Sequence, residues 1–298
     1  MVTDLDDDII MVSDPFLNRV KRALTSAALL ISAYILVFLL QQFITGGLCL
    51  LFGYNPKITY NDIGNLPFEY NHWSFLRVLV IFSSGPVICL LAGILFYDFF
   101  NQLSGTGSLY RFFFLWLSIC SINLFLAFLL LSPLGVDRYF SGLYVGFSIV
   151  ATWTHMGYVV TSPLALIAAA ASIFMGFFLF DSLMKFSFSS RLLQTPRGQR
   201  KMIFQLFIMP VFVAAPALMA LTTFKSSLLH AVLLLNLLLM SIGLFINVGR
   251  TSQDIVVFKQ DILNVIPVTW LCLAAVIYMA VWFFLRDDEL SIFSRSLF

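Results

Sequence analysis

Residues 24–52 read LTSAALLISAYILVFLLQQFITGGLCLLF, and this run contains no charged side chain. A helix of about 20 apolar residues crosses the hydrocarbon core of a bilayer, which is about 30 Å thick. The run is therefore long enough to span a membrane. It is too long for the apolar core of a signal peptide and has no A-x-A cleavage site, so we expect it to be retained.

The composition of the whole chain agrees with this first segment. Of the 298 residues, 60% are hydrophobic and 11% are charged, whereas a soluble domain carries about 25% charged residues. The mean hydropathy is +0.97. These values exclude a soluble domain, a disordered chain, a nucleic-acid binder and a disulfide-stapled secreted module. They indicate a multi-pass membrane protein, which we expect in the bacterial inner membrane.

Eight hydrophobic segments follow one another along the chain. Each is predicted to be helical, because lipid offers no hydrogen-bond partner to the backbone and the segments lack the alternation of barrel strands. The predicted fold is all-α, a polytopic transmembrane bundle of seven to eight spans, with a short strand at Lys57-Ile58-Thr59-Tyr60 in the loop after the first span. The segments are 24–52, 76–100, 109–132, 139–161, 163–184, 202–224, 227–248 and 265–286.

The distribution of Lys and Arg predicts the orientation. The strongest basic stretch lies at 185–201, a second lies at 19–22, and both are expected in the cytoplasm. Eight full crossings would place them on opposite sides, so we predict that segment 139–161 is re-entrant or broken. That arrangement puts 11 of the 17 basic residues inside and 6 outside. Eight full crossings with the N-terminus outside would put 10 basic residues inside and 7 outside, and this topology is the alternative.

Three polar side chains interrupt the first span. Gln41 and Thr45 lie one helical turn apart on one face, and Gln42 follows Gln41 directly. Their simplest interpretation is hydrogen bonding to a neighbouring helix, because amides at bilayer depth bond across helices.

The other intramembrane polar residues suggest similar contacts. His155 and His230 have no Cys or carboxylate at ligand spacing, which favours helix–helix bonding over a metal site. Asn123, Asn236 and Asn247 are interpreted as interhelical hydrogen-bond donors. Gly142 and Gly146 form a Gly-x-x-x-Gly pattern that is typical of a close helix contact.

The order of the motifs in the first half of the chain carries more information. Gln41-Gln42-Phe43-Ile44-Thr45 is followed by a Gly-rich stretch at 46–53, the strand-like 56–60, Gly85-Pro86, and a segment that runs from Asn123 through Ser132-Pro133 to Asp137-Arg138. Taken in this order, residues 24–145 resemble the site-2 protease family of intramembrane zinc metalloproteases.

The resemblance assigns a role to each of these positions. Gln41 stands where the family has the first His of H-E-x-x-H, Gln42 stands at the catalytic Glu, and Thr45 stands at the second His. Asp137 matches the third zinc ligand, although Arg138 replaces the Gly that normally follows it. A separate interpretation of Asp137 is an ion pair with Arg138 near the membrane surface.

The chemistry of these residues predicts that hydrolysis is lost. Catalytic zinc needs three protein ligands, typically His, His and a carboxylate, with an open position for water. A neutral amide or hydroxyl is a poor zinc ligand, and Gln42 has no titratable proton with which to act as a general base. We therefore expect no metal, no other cofactor and no catalytic residue.

Hydropathy, charge and the resemblance together divide the chain into four predicted parts: a cytoplasmic N-terminal segment (1–23), a site-2-protease-like core (24–161), further transmembrane helices (162–286) and a tail (287–298). The predicted function is a non-catalytic scaffold or subunit, whose partners are membrane lipid and another integral membrane protein but not nucleic acid. The first alternative is a small transporter or channel for an apolar or lipid-like cargo. The second is a membrane enzyme that acts on lipid or isoprenoid substrates.

Overall fold

The computed structural model describes residues 16–58, 63–64, 74–103, 109–135, 147–187, 193–222, 224–249 and 268–284. These residues form nine α-helices, together with one 3-10 turn (Ser132–Gly135), one π-helical turn (Phe204–Ile208) and two short strands. The helices are α1 (Phe16–Leu51), α2 (Phe75–Gln102), α3 (Leu109–Leu130), α4 (Phe147–Trp153), α5 (Tyr158–Met184), α6 (Pro196–Ile203), α7 (Met209–Ala220), α8 (Phe224–Ile246) and α9 (Val268–Phe284).

Six helices are long and apolar enough to cross a membrane: α1, α2, α3 with the 3-10 turn, α5, the continuous α6–α7 rod, and α8. The all-helical bundle is confirmed, but the predicted count of seven to eight spans is not. The described part of segment 139–161 contains only α4, whose seven residues extend about 10 Å. Segment 265–286 contains α9, which is 17 residues long.

The first helix begins earlier than the sequence predicts, at Phe16 instead of residue 24. Its basic first turns stay helical because they bond to the α6–α7 rod. Arg22 is buried, and its Nη1 lies 3.4 Å from Gln205 Oε1. Ser26 Oγ donates to the Leu206 carbonyl at 2.8 Å.

The end of α1 is set by Gly53, which has φ +81°. Glycine is the usual residue in this left-handed conformation after a helix. The chain then turns back, and β1 (Lys57–Ile58) pairs antiparallel with β2 (Ile63–Gly64). Beyond these four residues the strand-bearing loop stays a prediction, because 59–62 and 65–73 lie outside the described residues.

One end of the bundle collects the basic residues, and we call it the basic end. The bonds of Arg22 and Ser26 place the start of α1 there beside the start of the α6–α7 rod. The end of α2 and the start of α3 meet there through a bond from Arg111 Nε to the Phe100 carbonyl, 3.1 Å long. The end of α8 joins through Gly249 N, which donates to Gln199 Oε1. Both basic stretches therefore share one side.

The opposite end holds α4. Ser132 Oγ, just after α3, donates to the Thr161 carbonyl at 3.3 Å, so α5 starts where α3 ends. Ile149 and Val150 of α4 pack in a cluster with Cys49 at the end of α1 and Val78 near the start of α2. The described residues on either side of the gap at 136–146 therefore lie at the same end of the bundle, which agrees with the prediction that segment 139–161 is broken and does not cross.

Helices α5 and α8 approach each other closely at two glycines. A Cβ atom placed on Gly176 would collide with the Met240 carbonyl, and one on Gly243 would collide with the Ile173 carbonyl. Small residues let helix backbones approach in this way, which increases van der Waals contact where lipid provides no hydrophobic driving force. The predicted Gly142–Gly146 contact lies outside the described residues.

We predict that Gly176→Ala destabilises the protein by about 1–3 kcal/mol, because the added methyl group meets backbone that cannot rotate away. Reversible unfolding of the purified protein in mixed detergent micelles measures the change. Gly47→Ala is the matched control, since nothing lies within 4 Å of its added Cβ. Equal stability of the two variants would contradict the close contact.

We also predict that the two ends of the bundle are labelled from opposite sides of the membrane. Exposed Cys272 is first replaced by Ser, and Cys49, Cys89 and Cys120 are buried. In intact cells, a membrane-impermeant maleimide should then label Asn55→Cys but not Gln194→Cys, because the excess of Lys and Arg predicts that the basic end faces the cytoplasm. Lysis should make both react, and labelling of Gln194→Cys in intact cells would reverse the orientation.

Candidate functional site

The α1 polar face consists of Gln41, Gln42 and Thr45, and all three are buried with 2% exposure. Gln41 Nε2 donates to Thr45 Oγ1 over 3.4 Å, which is a long bond. The structure therefore brings together the three positions that the sequence singled out and turns them away from lipid.

Helix α2 packs directly on this face. A Cβ on Gly85 would lie 2.6 Å from Thr45 Oγ1 and 3.1 Å from Gln41 Cγ, so only glycine lets the two helices approach here. One turn further along, Cys89 Sγ lies 3.9 Å from the Val37 carbonyl of α1. The polar face thus lies where α1 and α2 pack together.

Two polar atoms of this region lack a hydrogen-bond partner among the described residues, Gln41 Oε1 on α1 and Ser83 Oγ on α2. If the oxygen and the nitrogen of the Gln41 amide were exchanged, the oxygen could accept a hydrogen bond from the Thr45 hydroxyl. The NH₂ group would then be the end without a partner. A buried polar group without a partner costs about 1–3 kcal/mol. The Gln41 amide is therefore able to accept or donate one further bond.

The fourth position of the resemblance, Asp137, lies outside the described residues, as does Arg138. Within the described ranges, no group of three His, Cys, Asp or Glu side chains is close enough to hold a metal ion. Gly85 and Pro86 lie ten residues inside α2, which begins at Phe75 with Ser74 as its N-cap.

The two histidines that the sequence places in hydrophobic segments lie in different surroundings. His230 of α8 is fully buried, and its Nδ1 lies 2.7 Å from Tyr34 Oη of α1. The Phe38 ring packs on it at a centroid distance of 4.7 Å. His155 is exposed in the turn between α4 and α5, where its φ is +51°. The structure thus places His230 in a bond between helices and His155 on the surface.

Asn123 and Asn236 form a second bond between helices. Asn123 Nδ2 of α3 donates to the Leu233 carbonyl of α8 at 3.0 Å, and Asn236 Nδ2 donates back to Asn123 Oδ1 at 3.0 Å. Asn247 Nδ2 donates to the Phe177 carbonyl of α5. All three asparagines therefore form the interhelical bonds that the sequence predicts.

Sequence reasoning missed a group at the basic end. We call Phe100, Arg111 and Lys185 the Phe100 cluster. The guanidinium carbon of buried Arg111 lies 4.6 Å from the Phe100 ring centroid, and Lys185 Nζ lies 5.7 Å from it. The three residues come from the end of α2, the start of α3 and the end of α5, and no local motif links positions that far apart.

The chain is a multi-pass integral membrane protein, because six of its described helices have the length and hydropathy of membrane spans. Comparison with protein-family models, with curated proteins and with solved structures gives no match.

We predict that two substitutions to Leu change the free energy of unfolding differently. Asn123→Leu leaves Asn236 Nδ2 and the Leu233 carbonyl without their bonds, and should cost about 0.6 to 1.7 kcal/mol. Gln41→Leu removes an amide that has only one long bond, so stability should stay the same or rise. Unfolding in mixed micelles measures both, with exposed Asn101→Leu as the control. A large loss for Gln41→Leu would reveal an unrecognised bond of the amide.

Proposed function

We propose that this protein is a non-catalytic, pseudo-protease-like scaffold of the bacterial inner membrane that binds another integral membrane protein at the α1 polar face. One observation carries the proposal: Gln41 is buried among polar neighbours, yet one end of its amide has no hydrogen-bond partner among the described residues. An unwound segment of a partner helix offers free backbone N–H and C=O groups, which suit such an amide.

The residue types at this face support binding over hydrolysis. Gln41, Gln42 and Thr45 are neutral, so they can bond a peptide backbone but cannot supply the imidazole ligands and the general base of a zinc protease. The resemblance to the site-2 protease family supports the same interpretation, because the family places its cleft at these positions.

The position of the face also supports a membrane-embedded partner. Ile44 follows Gln41 by three residues, so it lies on the neighbouring part of the helix surface, and it is partly exposed. The polar face therefore lies close to the surface that an incoming helix would meet first.

Photo-crosslinking in the native membrane tests the proposal. A benzophenone amino acid at Ile44 should crosslink one defined membrane protein, and the same probe at Phe174, which is 61% exposed on α5, is the control. We expect the Ile44 product to fall at least about tenfold with Gln41→Leu, since one bond to a buried polar group contributes about 1.5 kcal/mol.

Three outcomes would contradict the scaffold. The Ile44 product would be unrelated to the polar face if it persisted undiminished in Gln41→Leu, or if the Phe174 probe captured the same protein equally well. Stoichiometric zinc in the purified protein would revive the hydrolase and would contradict the assignment of Gln41, Gln42 and Thr45 as substitutes for its ligands.

A further inference from the structure

The Phe100 cluster places two cations on one aromatic ring at the basic end. Arg111 is buried with 2% exposure, and Lys185 is partly buried. Arg111 Nε donates to the Phe100 carbonyl, so the guanidinium is fixed in position by the last turns of α2. Cationic groups that approach an aromatic face are attracted to it, and this attraction holds both side chains close to the ring.

Neighbouring contacts make the cluster rigid. Tyr97 Oη lies 2.9 Å from Ser182 Oγ, which joins α2 to α5 about one turn below the cations. The Phe186 ring packs on Phe100 at 6.2 Å and on Phe112 of α3 at 4.5 Å. The three helices therefore hold the positive charges in place before any ligand arrives.

The electrostatics of the cluster favour an anion. Burial lowers the pKa of Lys185, and the positive charge of Arg111 lowers it further, while Asp181 acts in the opposite direction. Asp181 itself is exposed. Two like charges in a region of low dielectric repel each other strongly, and a bound anion between them would relieve that repulsion.

The position of the cluster indicates where the anion comes from. Phe100 and Arg111 lie within one turn of the ends of α2 and α3, and Lys185 directly follows α5, so all three lie at headgroup level. Tyr110 packs on Trp270 at 5.5 Å at the same level, as aromatic side chains do at membrane interfaces.

We propose that the Phe100 cluster binds the phosphate group of an anionic phospholipid in the leaflet at the basic end. Arg111 and Lys185 contact the phosphate, in the manner of basic pockets between transmembrane helices on the cytoplasmic side. Exposed Phe99 and Phe178, on the same ends of α2 and α5, offer apolar surface to the acyl chains. This site is separate from the α1 polar face and does not depend on the proposed function.

Native mass spectrometry of the full chain tests the proposal. The protein is extracted from vesicles of phosphatidylcholine with or without phosphatidylglycerol, and the lipid that it retains is counted. We expect one retained phosphatidylglycerol per chain, with affinity reduced about fivefold in Lys185→Gln, the effect of one basic residue near an anionic surface. Exposed Arg197→Gln, also at the basic end, is the matched control and should retain lipid as the unchanged protein does.

Each result supports or overturns the site. Lys185 follows the last turn of α5, so its substitution should leave the bundle folded, and unchanged far-ultraviolet circular dichroism checks this. If Lys185→Gln and Arg197→Gln retained equal amounts of phosphatidylglycerol, the site would be overturned. Arg111 would then only cap α2, and Lys185 would only extend to the interface. Equal binding of phosphatidylcholine would exclude selection for an anionic lipid. Saturable binding of inorganic phosphate alone, with the same dependence on Lys185, would assign the cluster to a free anion instead of a lipid.

Discussion

Hydrocarbon as the surrounding solvent is the constraint on which the structure depends. Lipid provides no hydrogen bonds to polar groups and no hydrophobic force that would bring apolar helices together. Helices in such a solvent associate by close backbone approach and by bonds between the few polar side chains that they carry. Here α5 and α8 approach at Gly176 and Gly243, and α3 and α8 are joined by Asn123 and Asn236.

Because of the same constraint, a buried polar group that has no hydrogen-bond partner within the bundle is costly. Tyr34 and His230 bond each other across α1 and α8, which is what a protein interior in lipid requires. The amide of Gln41 makes only one long bond, to Thr45 on its own helix, and its other end is buried without a partner among the described residues. Such a group lowers stability unless something else binds it, and this is why the α1 polar face carries the proposed function.

The two ends of the bundle differ in chemistry. The basic end concentrates fixed positive charge at headgroup level, where Arg111 and Lys185 share the Phe100 ring. The opposite end holds α4, which lies against α1 and α2 without crossing, and the α1 polar face is in the half of α1 nearer to it. A lipid bound at the basic end would hold the α1 polar face, the proposed binding site for the partner, at a fixed depth in the membrane.

Hydropathy alone determined that the chain is a helical membrane bundle, because spans are set by the thickness of the bilayer and by the cost of unbonded backbone in lipid. The Lys and Arg distribution also predicted that segment 139–161 does not cross, and the bond from Ser132 to Thr161 agrees. The polar residues that matter were visible as well, since Gln41 and Asn123 stand out in apolar runs.

Only the tertiary structure decided which of these residues meet. Asn123 forms a hydrogen bond with Asn236, Tyr34 forms one with His230, and Arg111 and Lys185 both lie close to the Phe100 ring. The members of each pair are far apart in sequence and belong to no short motif. The close contact at Gly176 and Gly243 lies outside any Gly-x-x-x-Gly pattern, because each helix contributes a single glycine to it. Sequence fixes the depth of each side chain along its helix, whereas the rotation and pairing of the helices come from packing that no local pattern records.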